Sequence, residues 1–435
     1  MKDLIEKFKE KKVLVIGDLM LDKHIHGTVS RISPEAPVPV LKAEKESFNP
    51  GGAANLANNL ALLGAKVYLA GTVGDDEPQK ILFKELEKNN INTSCILKTS
   101  KPTIQKIRGL SHQHLFRIDY EDTSNITKEN EQELLSLIKN KISEIDAIIL
   151  SDYSKGTLTE TLVKNIISFA KENNKLITAD CKPINLSFYK NVDLIKPNKK
   201  EAIEMTLTND IEKAGKILVE KLNSNVIITK GSEGFSIFEK NKNITHIPTK
   251  VKEIYDVSGA GDTVLAILTL SLISGTNLKE ATELANGAAS IVISKPGVTA
   301  ITLEELETSL SNNIKTIPKT WGEEQWIVNN EKYCGKKMFI KQDHYCSYHM
   351  HKVKEETFYI LEGELEIIHQ GKYLKLKKGS TIHIKPNEYH SFRALQDTVF
   401  FEFSTQHLEE DNYRLTKSDK GTHEQWKNEI EKCLK

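Results

Sequence analysis

From Lys12 to about Val298, short β-branched runs alternate with stretches whose apolar residues recur every three to four positions. The runs Val13–Gly17, Lys66–Gly71, Ala147–Tyr153, Lys175–Asp180, Asp193–Asn198 and Asn225–Gly231 predict buried strands, most of them closed by Gly, Asp or Asn. Segments such as LVKNIISFAKENN and EKAGKILVEKLN predict helices between them. This alternation predicts an α/β domain whose mainly parallel sheet is covered on both faces, with ligands at the carboxyl ends of the strands.

The pattern then changes. Residues 312–320, NNIKTIPKT, are polar and aperiodic and predict a linker. Beyond them the period shortens to two in KKMFIKQ, ETFYILEGELEIIHQ, YLKLKKG, STIHIKP and TVFFEFS, with turns at Glu362–Gly363, Gln370–Gly371 and Lys378–Gly379. These features predict an all-β, antiparallel barrel. The expected division is an α/β domain over 1–310, a linker over 311–319, a barrel over 320–408 and a charged helical tail over 409–435.

Composition narrows the function classes. The 435 residues carry 60 basic and 60 acidic side chains, a net charge of +0, so nucleic acid and anionic membrane surfaces are not expected partners. The longest apolar stretch, around Val264 to Ile273, falls short of the ~20 residues a membrane span needs, and the start MKDLIEKFKEKK lacks a signal-peptide core. A cytoplasmic location is expected. Cys95, Cys181, Cys334, Cys346 and Cys433 form no CxxC pair and are expected as reduced thiols. Only five basic residues are arginine (Arg31, Arg108, Arg117, Arg393, Arg414), and eight of the thirteen histidines fall between His344 and His423, as a metal site would require.

The strongest chemical signal is Asp256-Val-Ser-Gly-Ala-Gly-Asp262-Thr263 ahead of an apolar helix. Small residues at Gly259, Ala260 and Gly261 let backbone N–H groups at a helix start face an anion. Asp262 would then stand beside a transferring phosphoryl group as proton acceptor, although a capping aspartate is the plain alternative for a bare GAGD. In Pro50-Gly51-Gly52-Ala-Ala-Asn55, adjacent glycines admit a ligand to the backbone, and Asn55 offers a donor and an acceptor to a sugar hydroxyl. Gly17-Asp18-Leu-Met-Leu-Asp22 ends a strand in two carboxylates suited to hydroxyl pairs, with a turn role as the alternative for Asp18.

Together with Asn198-Lys-Lys-Glu201, these motifs resemble the ribokinase (PfkB) family of sugar kinases over residues 1 to 305. Gly17–Gly27, Ser30–Pro39, Pro102–Arg108, Phe116–Asp119 and Ser151–Gly156 are similar to the D-glycero-β-D-manno-heptose 7-phosphate kinases of bacterial ADP-heptose synthesis for lipopolysaccharide. The resemblance implies a ribokinase-like sheet with a small β lid, ATP and Mg²⁺ as cofactors, and a homodimer. It further implies Asp262 as base, Gly259 to Gly261 as anion hole, and Asp22, Gly51, Gly52 and Asn55 as sugar contacts. Arg108 and Lys155 are implied for phosphate, Asn198 and Glu201 for Mg²⁺ and its waters, and Lys230, Gly231 and Asn286 for the nucleotide. The nucleotidyltransferase signature HxGH of bifunctional relatives is absent, so the chain is not expected to make ADP-heptose by itself.

In the barrel, His349-Met-His351-Lys-Val-Lys-Glu355-Glu356 places two imidazoles on one strand face with a carboxylate following, and Pro386-Asn-Glu-Tyr-His390 returns a third imidazole. Three nitrogens and one oxygen leave positions open on Fe, Mn, Ni, Co or Zn. Glu355 competes with Glu356 as the acid, and a metal-free barrel is the alternative. The segment resembles the cupin family, and Trp321–Trp326, Lys337, Ser347 and Asp411–Arg414 are similar to its sugar-isomerase branch. That resemblance implies Arg393 and Arg414 as substrate holders. His383 is either an interior base or a solvated strand residue. Two functions follow: a heptose 7-phosphate kinase joined to a sugar-phosphate isomerase, or a kinase of another sugar joined to a sugar-sensing barrel.

Overall fold

The run Lys12–Gly17 is buried because successive side chains enter two different cores: Val13 and Val15 pack into one, Leu14 and Ile16 into the other. Such a strand must lie inside a sheet covered on both faces. The computed structural model describes residues 2–111, 113–249, 259–294, 300–311 and 315–434. Its chain forms two units, Met1–Ser311 and Asn312–Lys435.

In the first unit nine strands lie in the order Ile244–Ile247, Phe235–Phe238, Asn225–Thr229, Leu194–Ile195, Leu176–Asp180, Ala147–Ser151, Lys12–Gly17, Lys66–Val73 and Asn92–Lys98. All neighbours are parallel except the first two pairs. Helices Ala53–Leu62, Ala260–Ile273 and Leu278–Ile293 cover one face, and Glu160–Glu172 and Ile211–Leu222 the other. Ala260–Ile273 is buried nearly all round, which explains its unbroken apolar sequence.

The long run after Gly17 is not a loop. Leu19–Ile32 pairs antiparallel with Pro39–Gly52 and parallel with Ile104–Ser111, which pairs with Gln113–Tyr120. This is the small β lid implied by the resemblance. Its register aligns Asp22 with Lys106 and Lys106 with Asp119, and, two residues on, Arg108 with Arg117, so one face carries these charges. The opposite face exposes Phe116, Ile118 and Tyr120.

The second unit is the expected antiparallel barrel. One sheet runs Lys315–Lys319, Gly322–Asn329, Cys334–Ile340, Thr398–Ser404, Glu356–Glu362, Thr381–Ile384, and the other contains Lys372–Lys377, Glu364–His369, His390–Ala394 and His344–Tyr345. Phe358, Phe392 and Phe400 fill its core. The turn glycines Gly363, Gly371 and Gly379 have φ of 90°, 72° and 85°, which a side chain would disfavour.

Two boundaries need correction. The expected linker 311–319 is a strand over Lys315–Lys319, paired with Gly322–Asn329, and residues 312–314 lie outside the described residues. Pro318 is tolerated because this strand is the sheet edge. The expected helical tail 409–435 is helical only over His423–Leu434. Before it, Tyr413–Arg414 pairs with His349–Met350, and Asp419–Lys420 with His344–Tyr345. Trp426, 1% exposed, donates from Nε1 to Ser391 Oγ at 2.9 Å, so the tail is part of the barrel. Among the described residues no helix is long and apolar enough to cross a membrane, and all five cysteines are free.

Candidate functional sites

Gly259, with φ of 81°, starts the helix Ala260–Ile273 and accepts from the N–H groups of Asp262 and Thr263. Asp256 to Ser258 of the motif lie outside the described residues. Asp262, 8% exposed, is held from two directions: Asn55 Nδ2 donates to Oδ2 at 2.6 Å, and the Tyr153 hydroxyl donates to Oδ1 at 3.2 Å. Thr263 Oγ1 donates to Asn59 Oδ1 at 2.6 Å, and Asn59 Nδ2 to the Asn55 carbonyl at 2.9 Å, so helix Ala53–Leu62 is locked to the helix that carries Asp262. Burial raises the Asp262 carboxyl from 3.8 to about 6, assisted by the charge of Asp180, while Asn55, Lys196 and Tyr153 act the other way. A carboxylate tuned to that range can both ionise and accept a proton.

Asp262, Gly259, Ala260 and Gly261 line a cleft of ≈ 500 Å³ together with Asn198, Glu201, Lys230, Gly231 and Asn286, so the residues expected for the nucleotide, Mg²⁺ and the anion hole share one cleft, whereas Arg108 and Lys155 do not line it. Asn198 caps the helix Lys199–Thr206 in a capping box with Glu201, and Lys182 Nζ donates to Glu201 at 2.7 Å. Gly231 has φ of 60° and open space where a side chain would stand. Asn286 Nδ2 donates to the Pro248 carbonyl at 2.8 Å.

On the lid side, Gly52 has φ of 58°, and a Cβ there would stand 2.4 Å from the Asp18 carbonyl oxygen. A Cβ on Gly51 would stand 2.6 Å from Asp22 Oδ2. Both glycines therefore admit close packing against Asp18 and Asp22 of the neighbouring chain segment. The two carboxylates that follow the first strand differ. Asp18 is fully buried and accepts from the N–H groups of Tyr153, Lys155 and Thr157 at 2.9, 3.0 and 3.1 Å, which is the turn role. Asp22 faces the lid charges and accepts from Arg108 at 2.6 Å. Lys155 is paired with Glu121 at 2.7 Å and Arg117 with Asp119 at 2.5 Å.

Sequence reasoning missed three residues here. Lys196, 3% exposed, pairs with Asp180 at 2.8 Å and stands 3.5 Å from the position a Cβ on Gly261 would take, which puts an ammonium beside the anion hole. The signal was a lysine ending the buried run DLIKPN. Tyr153 bonds Asp262, and Lys106 lies over its ring at 5.5 Å with no carboxylate in ion-pair range among the described residues.

The barrel brings His349, His351, Glu356 and His390 together, with their ligand atoms within 4.8 Å of one another. Each imidazole points its Nδ1 at a backbone carbonyl: His349 at Ser347 (2.7 Å), His351 at Asp411, and His390 at Glu388 (3.2 Å). Those bonds aim Nε2 inward, as metal-ligating histidines require. Glu356 Oε1 and His390 Nε2 are buried without a hydrogen-bond partner, although they lie 2.8 Å apart. Two buried lone-pair atoms so placed suit a shared cation. Burial pushes His349 well below its ordinary value and lowers His351, which keeps both neutral. Burial opposes ionisation of Glu356, yet Lys354 at 2.5 Å and His390 hold it well below the usual carboxylate range.

The other barrel candidates separate. Glu355 is exposed and pairs with His383 at 2.7 Å, so Glu356 is the inward acid and His383 is the solvated strand residue. Arg393 is taken up by Asp343, by Glu366 at 3.3 Å and by the Gly421 carbonyl at 3.0 Å. Arg414 lines the ≈ 490 Å³ cavity of the histidine cluster, as do Lys336 and Ser347. Lys336, not Lys337, points inward and is 1% exposed.

A profile described as "pfkB family carbohydrate kinase" matches residues 10–306, and one described as "Cupin domain" matches residues 337–402. The chain is 43% identical over 317 residues to a bifunctional protein HldE of Helicobacter pylori (strain J99 / ATCC 700824), covering 71% of this chain and 68% of that protein. It is 39% identical over 311 residues to a bifunctional protein HldE of Actinobacillus succinogenes, covering 70% of this chain and 64% of the relative. Among solved structures, Arabidopsis thaliana ribokinase complexed with ribose and ATP aligns over 69% of this chain and 98% of its own at a TM-score of 0.56 and 17% identity. Phosphofructokinase-2 from Escherichia coli with substrates and products aligns over 68% and 97% at a TM-score of 0.58 and 18% identity. These likenesses show the fold.

The tuning of Asp262 sets a pH dependence. A carboxylate that takes a proton must be ionised, so if Asp262 is the base, kcat/KM for the sugar should be flat above about pH 6 and fall as pH drops through that value. Because the Asn55 hydrogen bond lowers the Asp262 value, Asn55→Ala should move the inflection to higher pH. Initial rates across pH 4.5 to 9 for both proteins check this.

Proposed function

The chain belongs to the pfkB family of carbohydrate kinases and carries a cupin domain behind the kinase, and from that premise we propose that it phosphorylates the anomeric hydroxyl of D-glycero-β-D-manno-heptose 7-phosphate. The observation that carries this reading is the buried Asp262, fixed by Asn55 and Tyr153 at the start of a glycine-led helix. Asp262 accepts the proton of the attacking hydroxyl. The backbone N–H groups of Gly259 to Gly261, with Lys196 beside them, stabilise the charge that develops on the phosphoryl group. Asp22, Gly51, Gly52 and Asn55 hold the sugar, and Arg108, Lys155 and the unpaired Lys106 supply cations for its own phosphate. Lys230, Gly231 and Asn286 hold ATP, and Asn198 and Glu201 order Mg²⁺ and its waters, an ion that shields the phosphates when bound. We place the enzyme in the cytoplasm as a homodimer, associated through the exposed apolar face of the lid, Phe116, Ile118 and Tyr120.

We further propose that His349, His351, Glu356 and His390 hold one divalent ion (Fe, Mn, Ni, Co or Zn) and that the barrel interconverts a ketose phosphate and an aldose phosphate. Such an ion, when bound, stabilises negative charge on adjacent sugar oxygens. The step before anomeric phosphorylation of a heptose 7-phosphate is formation of that aldose from sedoheptulose 7-phosphate, which gives the fusion its logic. A sugar-sensing barrel on the same residues is the second reading, favoured by the Nδ1 bonds that fix the histidines whether or not chemistry follows.

For the kinase, a panel of sugar phosphates with ATP, analysed by ³¹P NMR for the position of the new phosphate, should favour the manno-heptose 7-phosphate and give an anomeric product. Preference for ribose or fructose 6-phosphate would move the chain to another branch. For the barrel, elemental analysis of purified protein should find one divalent ion per chain and a lower content in His351→Ala, with conversion of sedoheptulose 7-phosphate to aldose lost in that variant when ATP is absent. Metal retained in a His349→Ala/His351→Ala double variant would place the ligands elsewhere.

A further inference from the structure

Each carboxylate that lines the barrel cavity is matched by a lysine. Glu324 has Lys319 at 3.3 Å, Glu356 has Lys354 at 2.5 Å, and Glu402 has Lys354 at 2.5 Å and Lys336 at 3.5 Å. Three positive and three negative groups therefore cancel along this wall. Lys336, Lys354, Glu356 and Glu402 are each 3% exposed or less. A barrel filled with apolar side chains would be as stable or more so, hence a buried ion chain of this kind is weak evidence for a purely structural role.

Two further cations line the same cavity without a carboxylate partner among the described residues, Arg414 and Lys417. Among the described residues, Arg414 Nε donates to the neutral Asn412 side chain, at 3.3 Å. Its position is fixed by register. His390 pairs with His349, and His349 with Arg414, across three neighbouring strands, so all three side chains leave the same face, each about 5 Å from the next. The guanidinium thus belongs to the wall that carries the histidine cluster. Asn412 to Ser418, which supply both cations, lie outside the 337–402 span of the cupin match, as do Lys319 and Glu324 of the ion chain, so this charge is added by flanking segments to a common barrel.

We propose that the barrel cavity is a binding site for a phosphate monoester of a polyhydroxy compound, with the phosphate on Arg414 and Lys417 and the hydroxyl groups toward the histidine cluster. Two unmatched cations fit one phosphate dianion, and a planar guanidinium offers it paired donors. The inference rests on the reading that the barrel takes a sugar ligand, and it holds whether that ligand is converted or only sensed.

Isothermal titration of the full chain with mannose 6-phosphate, mannose and malate, without ATP, tests it in wild type and in Arg414→Gln/Lys417→Gln. Both positions are exposed, so the double variant should fold, which its melting temperature checks. The expected result is a mannose 6-phosphate component weakened about 10- to 100-fold in the variant, as loss of charge-assisted bonds predicts. Any binding at the kinase site is common to both proteins and cancels in the comparison. Equal binding of mannose 6-phosphate by both proteins overturns the phosphate site. If mannose then binds in a way that His351→Ala abolishes, the sugar-binding reading survives without it. Malate binding as tightly as the phosphate ester, with the same dependence on Arg414 and Lys417, overturns the assignment to a phosphate monoester.

Discussion

A carboxylate buried at the head of an apolar helix is costly unless neighbours hold it, and the kinase unit is organised around that requirement. Asp262 is held by an amide from one helix and a phenol from the loop after a central strand, while Thr263 and Asn59 tie the two helices one turn further on. Small residues on Ala53–Leu62 allow the approach, and Gly51 and Gly52 deliver that helix beside Asp18 and Asp22. Asp18 spends its carboxylate on three N–H groups of the Tyr153–Thr157 loop, so the residue that orients the base is itself fixed from the first strand. The residues proposed as substrate contacts, base and anion hole are in this way connected through one hydrogen-bonded set.

The barrel meets a different constraint. Its interior contains ions where an apolar core would serve stability better, and it pairs them in a chain that ends on Glu356, the carboxylate of the histidine cluster. Lys336 also donates to His407 at 3.0 Å, and burial together with Lys336 lowers that imidazole to about 4, which keeps it a neutral acceptor. The aromatic cluster of Phe358, Phe392 and Phe400 carries the packing that this polar half of the interior gives up.

What was legible in the sequence was local. The strands of the parallel sheet announced themselves because buried β-branched runs need no partner to be recognised, and the GAGD turn because the glycine-rich and acidic motifs elsewhere in the chain agree with it, which a capping turn alone would not require. The histidine cluster was legible because two of its members stand two residues apart and the third follows a turn, although the strand itself ends at Met350 and His351 lies just past it. Features set by pairing were not. The long lid strands, the Asp22–Arg108 and Lys155–Glu121 pairs, and Lys196 beside Gly261 depend on which strands become neighbours, which no single segment states. Residues 315–319 and 413–420 were misread for the same reason: proline and charge dominated the local signal, whereas edge pairing decided the structure.

The most direct test of the role assigned to Asp262 is Asp262→Asn, which keeps the shape of the side chain and an oxygen to accept from Asn55, requires the Tyr153 hydroxyl to turn from donor to acceptor, and removes the capacity to take a proton. Turnover should fall by about 10²- to 10⁴-fold, the range for a general base, while the dissociation constant for ATP, measured by titration, stays within a few-fold of wild type. Turnover near the wild-type rate in a protein that binds ATP normally would contradict the assignment of the base.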